Sequence, residues 1–382
     1  MRSEQRVWSQ GAWSVRGASG DALPASLVFY FGAPGTLDDG ARFRELAASY
    51  PNAHLIGCST GGEILGREVL DQSVVALALQ FAGTPLATSR VRLEGDQAAS
   101  AEASHRAGVE LAKGLPKEGL RGLFLLSDGM NVNGSALVRG VREVVGDQVV
   151  ITGGLAGDGA SFKETWVGVD GAPERRCLGA VGFYGDAVRL GHGSAGGWDS
   201  FGPERRITRS EGNVLYELDG SPALALYKRY LGPRAADLPG SALLFPLRIQ
   251  RAPGEPPVVR TVLAVDEATQ SMTFAGDVPE GARAWFMRAS HDALVEGAET
   301  AAKSARGPSE TQATILVSCI GRKLLMGQRV ADEVESATDA VGDSASERSI
   351  GFYSYGEICP SAHDGAADLH NQTMTVTTID EV

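Results

Sequence analysis

Cysteine is scarce in this chain. The four residues present, Cys58, Cys177, Cys319 and Cys359, are too scattered to form a C-x-x-C pair or a zinc spacing. That pattern argues against a disulfide scaffold and a structural zinc module, and it fits reduced thiols in the cytoplasm. Positive charge is also in short supply: 35 Lys and Arg stand against 47 Asp and Glu, for a net charge of -12. A nucleic-acid-binding body needs the opposite balance, so no nucleic-acid partner is expected, and acidity of this kind serves solubility. No apolar run approaches the length that crosses a bilayer, so no membrane insertion is expected. The opening residues, M-R-S-E-Q-R-V-W-S-Q, lack the apolar stretch of a secretory signal. Neither H-E-x-x-H nor a phosphate-binding G-x-x-x-x-G-K-[ST] occurs.

Glycine, by contrast, is abundant at 49 residues and has no fixed period, which points to many tight loops. A length of 382 residues suits two domains with real cores. One frame recurs three times: I-G-C-S-T-G-G-E-I at Ile56–Ile64, I-T-G-G-L-A-G-D at Ile151–Asp158, and G-F-Y-S-Y-G-E-I-C-P at Gly351–Pro360. Each carries a Gly-acid pair at one offset from an isoleucine: Gly62-Glu63, Gly157-Asp158 and Gly356-Glu357.

A strand–loop–helix–strand unit precedes each frame. The strands are the short apolar runs Leu27–Phe31, Leu123–Leu126 and Ile315–Val317. The helices show apolar residues at helical spacing. Phe43, Leu46, Ala47 and Tyr50 form the first stripe; Leu137, Val138, Val141, Val144 and Val145 the second; Val330, Val334, Ala337 and Val341 the third. Asp38 or Asp39 can cap the first helix, and Ser318–Gly327 reads as a loop before the third. Residues 1–26, with Trp8 and Trp13, read as a leader or edge strand on the first domain.

Between the second and third units lies a different region. Val181–Tyr184, Arg206–Thr208 and Val214–Leu218 read as strands, with the Gly-rich stretch Gly191–Gly202 as a loop. Ser221 and Pro222 open a helix that Gly232 closes. Val258–Val265, Ser271–Phe274 and Ala282–Arg288 suggest a meander, and Ser290 caps a further helix. The expected fold is α/β: two closely packed domains, 27–219 and 220–382, with mixed sheets and repeated strand–loop–helix–strand units.

In open α/β sheets ligands bind beyond the carboxyl ends of the strands. Asp128, Asn131, Asn133, Thr152 and Asp158 then line a first-domain site. Ser318, Arg322, Lys323, Tyr353, Tyr355 and Glu357 line a second. Turned glycines suit a carboxylate and the acids an ammonium group, a pairing that fits an amino acid. The competing reading is that the acids only satisfy their own loops' N–H groups. G-C-S-T-G at Gly57–Gly61 matches a nucleophile elbow, which makes Ser59 a hydrolase candidate, but no helical start signal follows it. Among six histidines, His192 lies near Trp198 and Phe201, and His370 sits in L-H-N-Q-T-M-T. Each is either an oriented structural histidine or an axial haem ligand.

At these segments, together with Y-E-L-D-G-S-P-A-L and V-S-C-I-G-R-K, the sequence resembles the FIST family over about residues 27–380. The resemblance implies a two-part, non-catalytic sensory module for small ligands, with amino acids as the proposed class. A stand-alone subset with two domains and no fused effector implies haem-based nitric oxide sensing. Its signalling partner would be a histidine kinase or a cyclic-dinucleotide enzyme. Under that reading His192 and His370 are the candidate haem ligands.

Overall fold

A computed structural model describes residues 1–16, 23–95, 100–238, 240–252, 254–255, 257–308, 311–342, 344–361 and 365–382. Three units built to one plan make up most of it. The first contains the hairpin β1 (Arg2–Ser9) and β2 (Ala12–Arg16), strand β3 (Leu27–Gly32), the short helix α1 (Pro34–Leu37), helix α2 (Ala41–Ser49) and strand β4 (His54–Ser59). Three strands follow: β5 (Glu63–Leu65), β6 (Glu68–Leu70) and β7 (Val74–Gln80). The second unit runs through β8 (Leu86–Arg92), α3 (Ala101–Lys113), β9 (Leu120–Ser127), α4 (Gly134–Val145), β10 (Val150–Leu155), β11 (Val167–Val169) and β12 (Cys177–Tyr184).

The third unit opens with β13 (Val188–Ala195) and is then interrupted by an insert. The insert holds β14 (Asp199–Glu211), β15 (Val214–Leu218), β16 (Ser221–Pro222), α5 (Ala223–Leu231), β17 (Leu247–Gln250), β18 (Val258–Arg260), β19 (Val262–Asp266), β20 (Ser271–Phe274) and β21 (Arg283–Arg288). The unit resumes with α6 (His291–Ala305), β22 (Ala313–Cys319), α7 (Ile320–Met326), α8 (Val330–Val341) and β23 (Ser349–Ser354). It ends with β24 (Gly356–Pro360), β25 (Ala367–His370) and β26 (Met374–Glu381).

One rule lays down all three units. The first strand pairs in parallel with the strand after its helix: β3 with β4, β9 with β10, β22 with β23. A closing strand, β7, β12 or β26, returns antiparallel beside the first. The strand that follows each parallel pair leaves its own sheet. β5 pairs with β23, β24 with β10, and β11 with β4. The first unit therefore completes the sheet of the third, the third that of the second, and the second that of the first.

The apolar runs of β3, β9 and β22 are continuous because both faces are buried. Alternate residues turn inward to one shared core. There Phe29 meets Phe124 edge-on at 5.2 Å, and Phe31 lies 4.5 Å from Phe352. Burying each such ring is worth roughly 1.5–3 kcal/mol. The outward residues of β3, Val28 and Tyr30, pack with Leu46 and Tyr50 of the α2 segment. Outward faces of the other two sheets pack under α3, α4, α6 and α8. Ser100, Asn133 and Ser290 cap α3, α4 and α6 by accepting backbone N–H bonds.

The insert has a core of its own, with Tyr227, Phe274 and Phe286 at its centre. Polar contacts tie it to the body. The buried Arg260 donates to the Leu369 carbonyl at 2.8 Å and to Ser135 Oγ at 3.1 Å. Asp277 accepts from Asn133 Nδ2 at 2.9 Å and Arg139 Nη1 at 2.7 Å.

Several local expectations need correction. The three Gly-acid frames are mostly strand, because the chain crosses directly from one sheet to the next. Ser318–Gly327 is largely the helix α7. Gly191–Gly202 is mainly strand, and its glycines serve close packing: a Cβ on Gly191 or Gly193 would stand 2.0 Å from the carbonyl oxygen of Ala305 or Ala301 in α6. Pro222, not Ser221, stands at the N-cap position of α5, which has no side-chain cap bond, since Ser221 is drawn into pairing with Leu218. The meander stops at β20, which pairs with β19 and β15, while β21 pairs with β14 and β17. The expected boundary at Asp219-Gly220 falls on the turn that joins β15 to β16, inside the insert rather than in a linker.

Candidate functional site

The three frames meet. Gly61 N–H donates to the Tyr353 carbonyl at 2.7 Å, Tyr355 N–H to Leu155 at 3.2 Å, and Gly157 N–H to Ser59 at 2.9 Å. Each acceptor precedes its frame's donor by two residues, so the three bonds close a ring around a local pseudo-threefold axis. The bonds also correct the alignment of the frames. They place Asp158, not Gly157, opposite Gly62 and Gly356, so only Glu63 and Glu357 are true counterparts.

Those two glutamates have matching hydrogen-bond partners. Glu63 accepts from Thr60 Oγ1 at 2.5 Å, Ser73 N at 3.1 Å and Ser73 Oγ at 2.7 Å. Glu357 accepts from Ser354 Oγ at 2.6 Å, Thr373 N at 3.1 Å and Thr373 Oγ1 at 2.9 Å. The match extends to Leu70-Asp71-Gln72-Ser73 and His370-Asn371-Gln372-Thr373, in which Gln72 and Gln372 have φ of 56° and 63°. Burial raises both carboxyls, Glu63 to about 7 and Glu357 to about 8, against the pull of those hydroxyl and N–H donors. These acids satisfy their own turns.

Most of the other predicted site residues also bond within the protein. Asp128 accepts the N–H groups of Met130, Asn131 and Arg176, and Asn131 returns its amide to Asp128. Asn133 caps α4. Thr152 is buried in β10. Asp158 accepts from the N–H groups of Phe162, Lys163 and Glu164, and from the Tyr355 hydroxyl. Tyr355 stacks on Phe162 at 4.7 Å.

Arg322 is fully buried against Glu333, with Nε and Nη2 at 2.9 and 2.7 Å from Oε2. Ser318 and Tyr353 donate to the other oxygen of Glu333. Lys323 donates to the Gly61 carbonyl and pairs with Asp71. The polar side chains expected to line the two crevices at the strand ends thus mostly bind one another or nearby backbone, while Thr152 Oγ1 has no partner among the described residues. Ser59 is buried at the end of β4, its Oγ accepting from Trp166 N–H at 2.9 Å. The chain then crosses to β5 instead of entering a helix, so the geometry of a nucleophile elbow is absent at this serine.

An open cavity lies elsewhere, at the seam between insert and body. It measures about 240 Å3. The body contributes Ser194, Ser361, His370 and Thr373, the crossing segment Gly196 to Trp198, and the insert Arg248, Val259 and Met287. Trp198 is fixed by its Nε1–H bond to the Gln372 carbonyl at 2.7 Å. His370 Nε2 lies 2.9 Å from the Cys359 carbonyl, so it carries the hydrogen and Nδ1 keeps its lone pair. Burial lowers the pKa of His370, and the ring is neutral at ordinary pH. Glu357 stands behind the wall, bonded to Thr373.

Of the residues expected from sequence, His370 lines this cavity. His192 does not; it sits in β13 opposite Thr377, with its neighbours Gly191 and Gly193 packed under α6. Sequence reasoning missed Arg248, Val259 and Met287, which occupy ordinary strands and carry no motif. A haem does not fit this cavity. Its volume falls below the roughly 300–1,000 Å3 of sites for drug-sized molecules, and the usual ligating nitrogen of His370 is already engaged. Among the described residues no group of three or more His, Cys, Asp or Glu converges on a metal position, and no helix is long and apolar enough to cross a membrane.

"Uncharacterized protein MJ1623" of Methanocaldococcus jannaschii is 28% identical over 187 residues, which is 47% of this chain and 35% of that protein. The chain thus spans about a third of the length of the curated relative it matches. A chorismatase crystal structure aligns over 99% of this chain and 98% of its own, at 11% identity and a TM-score of 0.35. A cyanuric acid hydrolase aligns over 94% and 91%, at 8% identity and 0.33. At those values the likeness decides nothing about fold or activity. The FIST N domain matches residues 26–221 and the FIST C domain residues 223–360. The chain belongs to the FIST family, whose domains sense small ligands and often sit in signalling proteins.

Proposed function

We propose that this chain is a non-catalytic sensor that takes its small ligand in the seam cavity between insert and body. The carrying observation is the cavity itself. It brings a cation, a fixed neutral imidazole and hydroxyls together with an apolar wall, between two bodies with separate cores. Occupancy there bears on both bodies at once, which is what a sensor needs to report binding to a signalling partner. A histidine kinase or a cyclic-dinucleotide enzyme is the class of partner the family resemblance supplies. Four buried free thiols support a cytoplasmic setting. Haem-based nitric oxide sensing rests on the resemblance alone, since the seam cavity does not accommodate the cofactor.

A thermal-shift panel of amino acids and small organic acids tests the reading. Val259→Trp, which fills the cavity from the insert side, should abolish any shift and leave the unliganded melting curve near that of the wild type. A shift that survives the substitution places the ligand elsewhere and ends this reading.

A further inference from the structure

We infer that the seam cavity takes a small organic carboxylate with an aromatic or branched apolar body, held as an anion by Arg248, in preference to a zwitterionic amino acid. This rests on the seam cavity being the ligand site and adds the charge its occupant carries.

Arg248 lines the cavity, and among the described residues it has no carboxylate partner. Its guanidinium carbon lies 5.4 Å from the centroid of the Trp285 ring. Stacking on that face orients the planar fork and leaves its N–H groups for a carboxylate, which they match two for two. Among the described residues an ammonium group finds no such counterpart, since none of those lining the cavity is an acid. The carboxyl behind the wall, Glu357, has both oxygens occupied by Ser354 and Thr373. Asp368, two residues before His370, is paired with Arg251 at 2.7 Å. A ligand ammonium would therefore lose water without gaining an anion. The wall of Trp198, Val259, Met287 and Pro257 suits an apolar body, and about 240 Å3 limits it to one side chain's bulk.

Isothermal titration of the full chain with matched compounds tests this. One set is phenylpropionate, phenylpropionamide and phenylalanine; the other is isocaproate, its amide and leucine. At least one carboxylate should bind, with its amide and its amino acid weaker by about tenfold to a hundredfold. Arg248→Gln should remove the preference for carboxylate over amide, and Arg248→Lys should keep part of it. Tighter binding of the amino acids, with dependence on Arg248, overturns the inference and leaves the cavity as the site. Binding of none of the six also overturns it. Carboxylate binding that persists in Val259→Trp overturns the inference and the choice of cavity together.

Discussion

Glu63 and Glu357 are one position seen twice: each closes the turn by which a strand passes into the neighbouring unit's sheet, and each is held by two hydroxyls and one N–H at equivalent places. Both carboxyls keep their protons well above the ordinary glutamate range, at about 7 and about 8. The unfolded chain releases these protons first as pH rises from about 4.5, so folding loses stability between that pH and about 8. Glu357→Gln cannot ionise and removes part of that slope. Melting curves should show the variant gaining on the wild type by about 2 °C or more between mildly acidic and mildly alkaline buffer. Parallel curves would show that Glu357 does not titrate in that window.

Glu381 behaves in the opposite sense. Burial alone would raise its carboxyl, but the N–H groups of Ala82, Gly83 and Thr84 and the Thr84 hydroxyl outweigh it and hold the group down to about 2. Its stabilisation is complete above the ordinary glutamate value and is lost as pH falls from about 4.5 toward 2. Glu381→Gln should cost about 1 kcal/mol in urea unfolding at neutral pH, since solvent screens this partly exposed carboxylate. The difference from wild type should vanish in strong acid, and a constant difference across that range would rule out the carboxylate as its source.

Arg322 and Glu333 form a fully buried pair that also gathers Ser318, Tyr353 and the Leu294 carbonyl. Removing one charge strands the other. Arg322→Ala should cost about 3–5 kcal/mol, whereas the double change Arg322→Met with Glu333→Leu should cost much less. Equilibrium denaturation of the two variants separates these outcomes.

Tyr355 joins the third unit to the second through Asp158 and the Gly159 carbonyl. Tyr355→Phe keeps the stacking on Phe162 and loses the hydroxyl bonds, a cost of about 1 kcal/mol. Ligand affinity, measured by titration calorimetry, should be unchanged because Tyr355 does not line the seam cavity. A tenfold weakening would tie this residue to the ligand after all.

The three units were legible in the sequence because their signals are local. Leu27–Phe31 is apolar without a break, and Val330, Val334, Ala337 and Val341 fall on one helical face. The exchange of strands was not legible, because β5 and β11 are three residues long and their partners lie far away in the sequence. The kinship of Leu70–Ser73 with His370–Thr373 lies in a shared backbone bend at glutamine, where little else is identical. Many predicted site residues are polar for another reason than ligand binding: the chain crosses between sheets there, and the crossing turns need donors and acceptors of their own. Arg248 stands in an ordinary L-R-I-Q strand and becomes conspicuous only once His370 and Trp198 are seen across from it.

The circular exchange of strands also bears on how the protein can be divided. A cut near residue 220 strips β13 of β26 and β10 of β24, while β23 loses β5. Each fragment would present raw hydrogen-bonding edges, which invite aggregation. In this chain the matched N and C segments therefore each depend on the other to cover those edges. The insert interrupts only the span between β13 and α6 and keeps its own interior, so outside Arg260, Asp277 and the cavity wall its surface is the portion least constrained by the exchange.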